Sequence, residues 1–370
     1  MHNTNILKNI VRNLKVILIA SRDSRNRYNF LLEPLKLMDN VTVKLIKNEK
    51  NIFQFTRQSL KQINEFKDYD CVIAIGANYT SLLWALLTIF VIKAKFIVRL
   101  GGNPFAILKN DLYDVVSSLN TKRLLYIITN TLFTPIILLL SDHVIVVSEY
   151  LQKTFEKYYF RKTKFAVIPQ FVKCNVLNLN RKTKENNINL LTVTNLQYKK
   201  KFYPIKKVIS YLAMANNRLE QKINYRILGG GVYKNELIAY LDKLDLRSTS
   251  LNVEVLGYVD DPVDFYKSSD VFLYASEIDI LPNVLLEAQS FGLPLLVNKY
   301  QPFYDMFKCK ENVLFFDIDD REEFLGHCHR LFSNKELRSS IGQENFKYVC
   351  ENYTIESVAK QLFYLLKKIC

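Results

Sequence analysis

The chain has 370 residues, 49% of them hydrophobic and 24% charged, with 51 Lys and Arg against 36 Asp and Glu for a formal charge of +15. That length exceeds what one hydrophobic core usually organises, so two domains are expected, and the globular composition excludes a disordered or fibrous chain. The charge calls for an anionic partner: nucleic acid, a membrane surface or small anionic substrates. No helix-turn-helix, zinc-finger or RNA-recognition signature occurs and the lysines are spread along the chain, which argues against nucleic acid.

The opening MHNTNILKNIVRNLK is polar and basic, without the apolar core of a secretory signal. LKVILIA (14–20), VTVKLI (41–46), CVIAIG (71–76), KFIVRLG (95–101) and HVIVVS (143–148) are short β-branched runs with apolar-periodic segments between several of them. Such alternation predicts a parallel sheet covered by helices. Two apolar runs stand apart: LLWALLTIFVI (82–92) is too short to span a bilayer, and LLYIITNTLFTPIILLL (124–140) contains Asn130 and Pro135. We read both as buried helices; surface attachment is the second reading, because Lys122 and Arg123 precede the longer run as a basic collar would. Residues 1–172 are read as one doubly wound domain.

KCNVLNLNRKTKENNIN (173–189) is polar and aperiodic, as a linker is. Alternation then resumes with strands at 188–196, 224–231, 251–259, 270–276 and 293–298, and helices near 204–216, 233–244, 262–268 and 283–291. A second doubly wound domain over 173–354 follows, and IESVAKQLFYLLKKI (355–369) is an amphipathic terminal helix. Two such domains facing each other across a cleft would bind ligands beyond the carboxyl ends of their strands. Cys71, Cys174, Cys309, Cys328, Cys350 and Cys370 are scattered with no C-x-x-C pair, so neither a zinc site nor a disulfide framework is expected, and a reducing cytoplasm fits.

Three motifs lie where strands end. RILGGGVYKNEL (226–237) sets Gly229, Gly230 and Gly231 between strand and helix; it is either a phosphate cradle or a tight turn, and lacks the G-K-[ST] of a Walker loop. NLQYKKKF (195–202) sets three lysines on a loop, either a solvated basic turn or cations for a leaving diphosphate. In SEIDILPNVLLEAQSFGLP (276–294), Pro282 suits a helix start and Gly292 with Pro294 its stop. Glu287 falls beside Val284 and Phe291 on a largely buried helix, where a carboxylate needs a polar partner. Two hydroxyls of a sugar or ribose would suit it, as would an ion pair; Asp279 is a sugar contact or an N-terminal cap.

SSDVFLYASEIDILPNVLLEAQSFGLPLLVN (268–298) resembles the donor-binding motif of the retaining family 4 (group 1) glycosyltransferases of the GT-B fold, in which an acidic residue, seven residues and a glutamate precede a G-x-P turn. The similarity continues through SDHVIVVSEYLQKTFEKYYFRKTKFAVIPQFV, LLTVTNLQYKKKF and VEVLGYVDDPVDFYKSSDVF, and so covers about 141 to 300. It implies a metal-independent hexosyltransferase without cofactor, which transfers sugar from a nucleotide-sugar to a glycan or lipid-linked acceptor of surface polysaccharide. The basic charge and the two apolar N-terminal runs add an anionic membrane surface as a further partner of a cytoplasmic protein, since a lipid-linked acceptor presents an anionic pyrophosphate. The family pattern puts Glu287 on the ribose, Asp279 on the donor sugar and Lys200 on the diphosphate. Ile280, Leu281 and Asn283 line the turn, and Tyr258 and Val259 grip the base. Asn195 stands where the family has arginine, and Asp279 with Ile280 where it has glutamate and glycine. No N-terminal glycine-rich loop or histidine is matched; Arg22, Arg25, Arg99, Gly101 and Gly102 are the expected acceptor-side residues. A degenerate member that binds nucleotide-sugar or a partner without transfer is the alternative, and a sugar-nucleotide epimerase a third reading.

Overall fold

The computed structural model describes residues 13–20, 28–47, 52–103, 105, 121–158, 164–174, 187–215, 219–244, 246–247, 249–307 and 312–370. The chain divides into two compact units, Met1–Phe171 with Ile355–Cys370, and Val172–Thr354.

In the first unit, β1 (Leu14–Ala20), β2 (Val41–Lys47), β3 (Cys71–Ile75), β4 (Lys95–Leu100), β5 (His143–Val146) and β6 (Phe165–Val167) form a parallel sheet in the order β2-β1-β3-β4-β5-β6. Every residue of β3 is buried, as in strands covered on both faces. The short β6 has no counterpart in the sequence reading, since three residues show no alternation. Helices α1 (Asn29–Lys36), α2 (Ile52–Gln62), α3 (Tyr79–Leu87, continued by a π turn Thr88–Ile92), α4 (Thr121–Leu140) and α5 (Glu149–Tyr158) connect the strands.

The long apolar run forms α4, but it is not the fully buried helix expected. Thr134, Ile137 and Leu138 are buried, whereas Ile128, Leu132, Ile136 and Leu139 are exposed. Among the described residues no helix is long and apolar enough to cross a membrane.

In the second unit, β7 (Asn187–Val193), β8 (Lys222–Leu228), β9 (Leu251–Gly257), β10 (Val271–Tyr274), β11 (Leu295–Asn298) and β12 (Val313–Phe316) form a parallel sheet in the order β12-β11-β10-β7-β8-β9. Between and after them run α6 (Lys199–Met214), α7 (Lys234–Asp242), α8 (Val263–Lys267), α9 (Asn283–Ser290), α10 (Gln301–Met306), α11 (Arg321–Ser333) and α12 (Lys335–Asn352). The last helix, α13 (Ile355–Ile369), belongs to the first unit: Val358, Leu362, Leu365 and Leu366 enter the same core as Leu31 and Leu35 of α1 and Val16 and Leu18 of β1. Its apolar residues at intervals of three and four make the stripe such packing needs.

Two expectations are corrected here. Cys174 and Cys350 form a disulfide with Cα atoms 5.8 Å apart, and beside it the Val172 amide donates to the Tyr353 carbonyl at 2.8 Å. Two cysteines 176 positions apart carry no spacing signature, so only the fold reveals the pair, and it removes the cysteine pattern as support for a reducing compartment. The three lysines are also not on a loop. Lys199, Lys200 and Lys201 are the first turn of α6, which starts five residues earlier than its apolar periodicity suggests, because lysine is a good helix former and the carbonyl that Pro204 cannot serve, that of Lys200, finds another donor in the Glu277 amide.

Candidate functional site

In the second sheet the chain builds β7, β8 and β9 outward in one direction, then returns to place β10 on the other flank of β7. Beyond the carboxyl ends of β7 and β10 their loops diverge, the place where open α/β sheets bind ligands. Asn195 and Asp279 lie in those two loops, and Lys200 lies in the helical turn that follows the first of them.

The loop after β7 is shaped by backbone contact with the glycine turn after β8. Leu196 donates to the Gly230 carbonyl at 2.8 Å and Tyr233 to the Leu196 carbonyl at 3.0 Å. Gly229 has φ +150°, and a Cβ there would overlap the Thr194 carbonyl oxygen. Gly231, at φ +148°, would drive a Cβ into the Leu196 carbonyl. The glycines thus let two chains touch, and the Gly229 amide is occupied by the Gly257 carbonyl at 2.6 Å. Gly230 is less constrained: a Cβ there would meet the Tyr258 Cβ at 3.6 Å.

The loop after β10 is tied to α6. Pro204 has no N–H to offer the Lys200 carbonyl four residues earlier, and that carbonyl accepts from the Glu277 amide at 3.0 Å. The Ser276 amide donates to Asn298 Oδ1 at 2.9 Å, fixing the other end of the turn. Asp279 Oδ2 then collects three donors: the Tyr274 hydroxyl at 2.6 Å, the Ser276 hydroxyl at 2.7 Å and Lys201 Nζ at 2.8 Å. The Lys201 side chain is only 7% exposed, against 24% for Asp279. Asp279 is therefore not a helix cap: Pro282 precedes α9 with no side-chain cap bond.

Glu287 lies in the second turn of α9 and is half-buried. Its Oε2 accepts from the Tyr266 hydroxyl at 2.8 Å, so its partner is a phenol. Burial raises the Glu287 pKa, and the Tyr266 hydrogen bond pulls it partly back. Tyr266 is fixed by stacking on Phe291, with ring centroids 5.2 Å apart. Burial, reinforced by the neighbouring carboxylate, pushes the Tyr266 and Tyr274 phenols well above their usual pKa, so both remain donors.

The other expected residues fall as follows. Lys200, Asn195 and Tyr258 are exposed, Val259 and Ile280 are half-buried and Leu281 is buried. Asn283 opens α9, and its Oδ1 is buried with no hydrogen-bond partner among the described residues. In the first unit Arg99 is buried inside β4, its guanidinium carbon 6.0 Å from the Phe30 ring centroid. Gly101 is exposed, and neither it nor Gly102 has an atom within 4 Å of where a Cβ would stand. Arg22 and Arg25 lie outside the described residues. Sequence reasoning missed Lys201, Tyr266, Tyr274 and Ser276, the residues that hold the two carboxylates. A run of three lysines does not say which one turns inward, and neither Tyr274 on an apolar strand nor Tyr266 in the short α8 shows in the sequence that its hydroxyl meets a carboxylate. No group of three His, Cys, Asp or Glu side chains placed to hold a metal occurs among the described residues.

Two doubly wound α/β units, with paired carboxylates at the switch point of the second, define a GT-B protein. Residues 178–367 match the family model of glycosyl transferases group 1, and the chain belongs to that family. It is 29% identical over 261 residues to an uncharacterized glycosyltransferase of Methanocaldococcus jannaschii, a match covering 66% of this chain and 59% of that protein. It is 25% identical over 140 residues to the lipopolysaccharide core biosynthesis glycosyltransferase LpsE of Rhizobium meliloti, covering 38% and 40%. The chain spans about half the length of the curated relatives it matches. Among solved structures, Anabaena HepE in complex with UDP and glucose superposes with a TM-score of 0.68 at 14% identity, covering 96% of this chain and 100% of that one. The GT-B expectation is thereby met.

Proposed function

We propose that the protein is a retaining, family 4 type glycosyltransferase that moves one hexosyl unit from a nucleotide-sugar to a glycan or lipid-linked acceptor of surface polysaccharide. The observation that carries this reading is the held pair of carboxylates at the β7/β10 switch point, Asp279 on Lys201, Tyr274 and Ser276, and Glu287 on Tyr266. Glu287 keeps one carboxylate oxygen for the ribose hydroxyls, and Asp279 turns toward the donor sugar. Lys200, exposed at the start of α6, neutralises the leaving diphosphate, helped by the helix dipole. The orphaned Asn283 Oδ1 accepts from a donor hydroxyl, and Tyr258 and Val259 flank the base. The bond from the sugar anomeric carbon to the diphosphate oxygen breaks, a bond from that carbon to the acceptor oxygen forms, and the acceptor's hydroxyl proton leaves with the diphosphate. These cations and helix termini do the work a divalent metal does elsewhere, and no cofactor is required. The UDP-bound HepE and the lipopolysaccharide role of LpsE support a nucleotide-sugar donor and a polysaccharide setting.

Nucleotide-sugars are cytosolic, so the reaction belongs on the cytoplasmic side, where a lipid-linked acceptor presents an anionic pyrophosphate. Arg99, Gly101 and Gly102, with Arg22 and Arg25, are assigned to the acceptor. The test is transfer from a panel of UDP-, GDP- and ADP-sugars by wild type and by Glu287→Ala and Lys200→Ala. Wild-type turnover lost in both variants is expected, and unchanged transfer by both would sink the site assignment. The second reading, a binder without transfer, draws on exposed Asn195, which leaves the diphosphate one cation fewer. It is favoured if donor binds tightly yet no nucleoside diphosphate is ever released.

A further inference from the structure

In the first unit, α3 with its π turn and α4 pack side by side, and both descend to the amino-terminal edge of the sheet. The π turn ends at Ile92 just before β4, and α4 ends at Leu140 just before β5; β4 and β5 are adjacent, with Ile97 opposite His143. Both helices are apolar on the sides they turn to solvent. On α4, Ile128, Leu132, Ile136 and Leu139 are exposed at intervals of four, four and three, one continuous stripe. On the neighbouring element Leu86, Ile89, Phe90 and Val91 are exposed. Phe90 at 72%, Leu139 at 67% and Leu132 at 61% are among the most exposed large apolar side chains described, and together they exceed the scattered exposure normal on a soluble surface.

The lower end of this surface is basic. Lys93 terminates the π turn in the left-handed conformation, Lys95 opens β4, and Lys164 donates to the Ser141 carbonyl and, at 3.4 Å, to the Leu139 carbonyl. Lys368 of α13 completes the group: burial lowers the pKa of His143, and Lys368, Lys164 and Lys95 add to it while Asp142 opposes. Two described carboxylates at this edge are engaged, and one of them partly offsets the charge of Lys95. Asp142 is held by Lys95 at 3.3 Å and by the Phe96 amide at 2.9 Å, and Asp70 accepts from the Lys15 amide at 2.8 Å.

We propose that this face, the α4 stripe with Leu86, Ile89, Phe90 and Val91 above the Lys93, Lys95, Lys164 and Lys368 cluster, docks the protein on an anionic lipid bilayer. Aliphatic and phenylalanine side chains enter the acyl boundary while the lysines meet phosphate headgroups. The charge decides the occupant: a protein partner could cover the apolar stripe, but a lysine rim beside a bare aliphatic surface matches anionic headgroups over hydrocarbon. The proposal deepens the reading of a lipid-held acceptor and rests on that reading for its purpose, though not for its test.

The test is co-sedimentation of the full chain with phosphatidylcholine vesicles and with vesicles containing phosphatidylglycerol. Wild type is expected to pellet with the anionic vesicles and far less with the neutral ones. Phe90→Ser with Leu139→Ser should weaken binding at least about tenfold, and Lys93→Glu with Lys368→Glu by roughly fivefold or more per lysine. Met214→Ser, at an exposed apolar residue of the second unit, should bind like wild type. Phe90→Ser alone is the milder variant, and thermal melts confirm that each protein folds. Equal pelleting with both vesicles, or undiminished binding by the apolar variants, overturns the proposal. So does a wild-type dimer that those variants dissociate, since a second copy would then cover the face. Donor turnover is measured without vesicles: a wild type that binds vesicles but never turns over donor overturns the transferase reading alone.

Discussion

Lys201 Nζ lies 2.8 Å from Asp279 Oδ2, and this ion pair joins the first turn of α6 to the loop after β10. The lysine is nearly buried and the carboxylate partly open, so the pair stands between a surface and an interior salt bridge. Lys201→Ala leaves Asp279 with only the Tyr274 and Ser276 hydroxyls and should cost roughly 1–3 kcal/mol in urea unfolding. Adding Asp279→Asn should restore most of that stability, because no uncompensated charge remains. Donor turnover should stay low in both variants; if it returns in the double variant, Asp279 holds the loop and does not meet the sugar.

The two-unit division is legible in the sequence because short β-branched runs alternate with helical ones, and LKVILIA at 14–20 coincides with β1. Glu287 is legible too, as a carboxylate on a largely buried helix that needs a polar partner, whereas the cap reading of Asp279 is not met. The partners of the two carboxylates are not legible. Which of Lys199, Lys200 and Lys201 turns inward depends on where α6 starts, and the apolar periodicity of that helix sets its start too late. The missing N–H of Pro204 leaves the Lys200 carbonyl to the Glu277 amide, a contact distant in sequence that no local pattern reveals. Tyr266 and Tyr274 are hidden for a related reason, since a buried tyrosine looks apolar in a sequence until its hydroxyl finds a carboxylate.

Gly229 and Gly230 are neighbours with opposite tolerance. Gly229→Ala sets a Cβ against the Thr194 carbonyl oxygen at a φ that side chains rarely adopt, so the β7 and β8 loops must separate. A loss of at least about 2–3 kcal/mol, or failure to fold, is expected. Gly230→Ala meets only the Tyr258 side chain and backbone, with its Cβ at 3.6 Å, and should unfold within about 1 kcal/mol of wild type. Equal losses in chemical denaturation would show that the turn is not set by backbone contact.

Tyr266→Phe keeps the ring stacked on Phe291 and removes only the hydroxyl that Glu287 accepts. That hydrogen bond lowers the Glu287 pKa, so its loss raises the pKa further. If ionised Glu287 holds the ribose, the acid limb of kcat/KM moves to higher pH and the donor KM rises by about tenfold, while kcat changes less. A purely structural tyrosine would shift the melting temperature and leave the pH profile in place.

Glu287→Gln separates folding from donor binding. The folded-state pKa of Glu287 is raised, chiefly by burial, so its ionised form disfavours folding once the pH exceeds the ordinary carboxylate value. Wild-type stability should therefore fall as pH rises from the ordinary carboxylate range through the raised value, and the amide variant should show no such step. At neutral pH without donor, Glu287→Gln is expected to melt higher than wild type, with the difference shrinking as the pH drops and the carboxylate is protonated. With saturating donor the order should reverse, because a carboxylate that accepts from two ribose hydroxyls stabilises only the wild-type complex. Thermal melts across pH, with and without nucleotide-sugar, check both halves. A variant less stable than wild type without donor at every pH would mean that Glu287 is retained for packing.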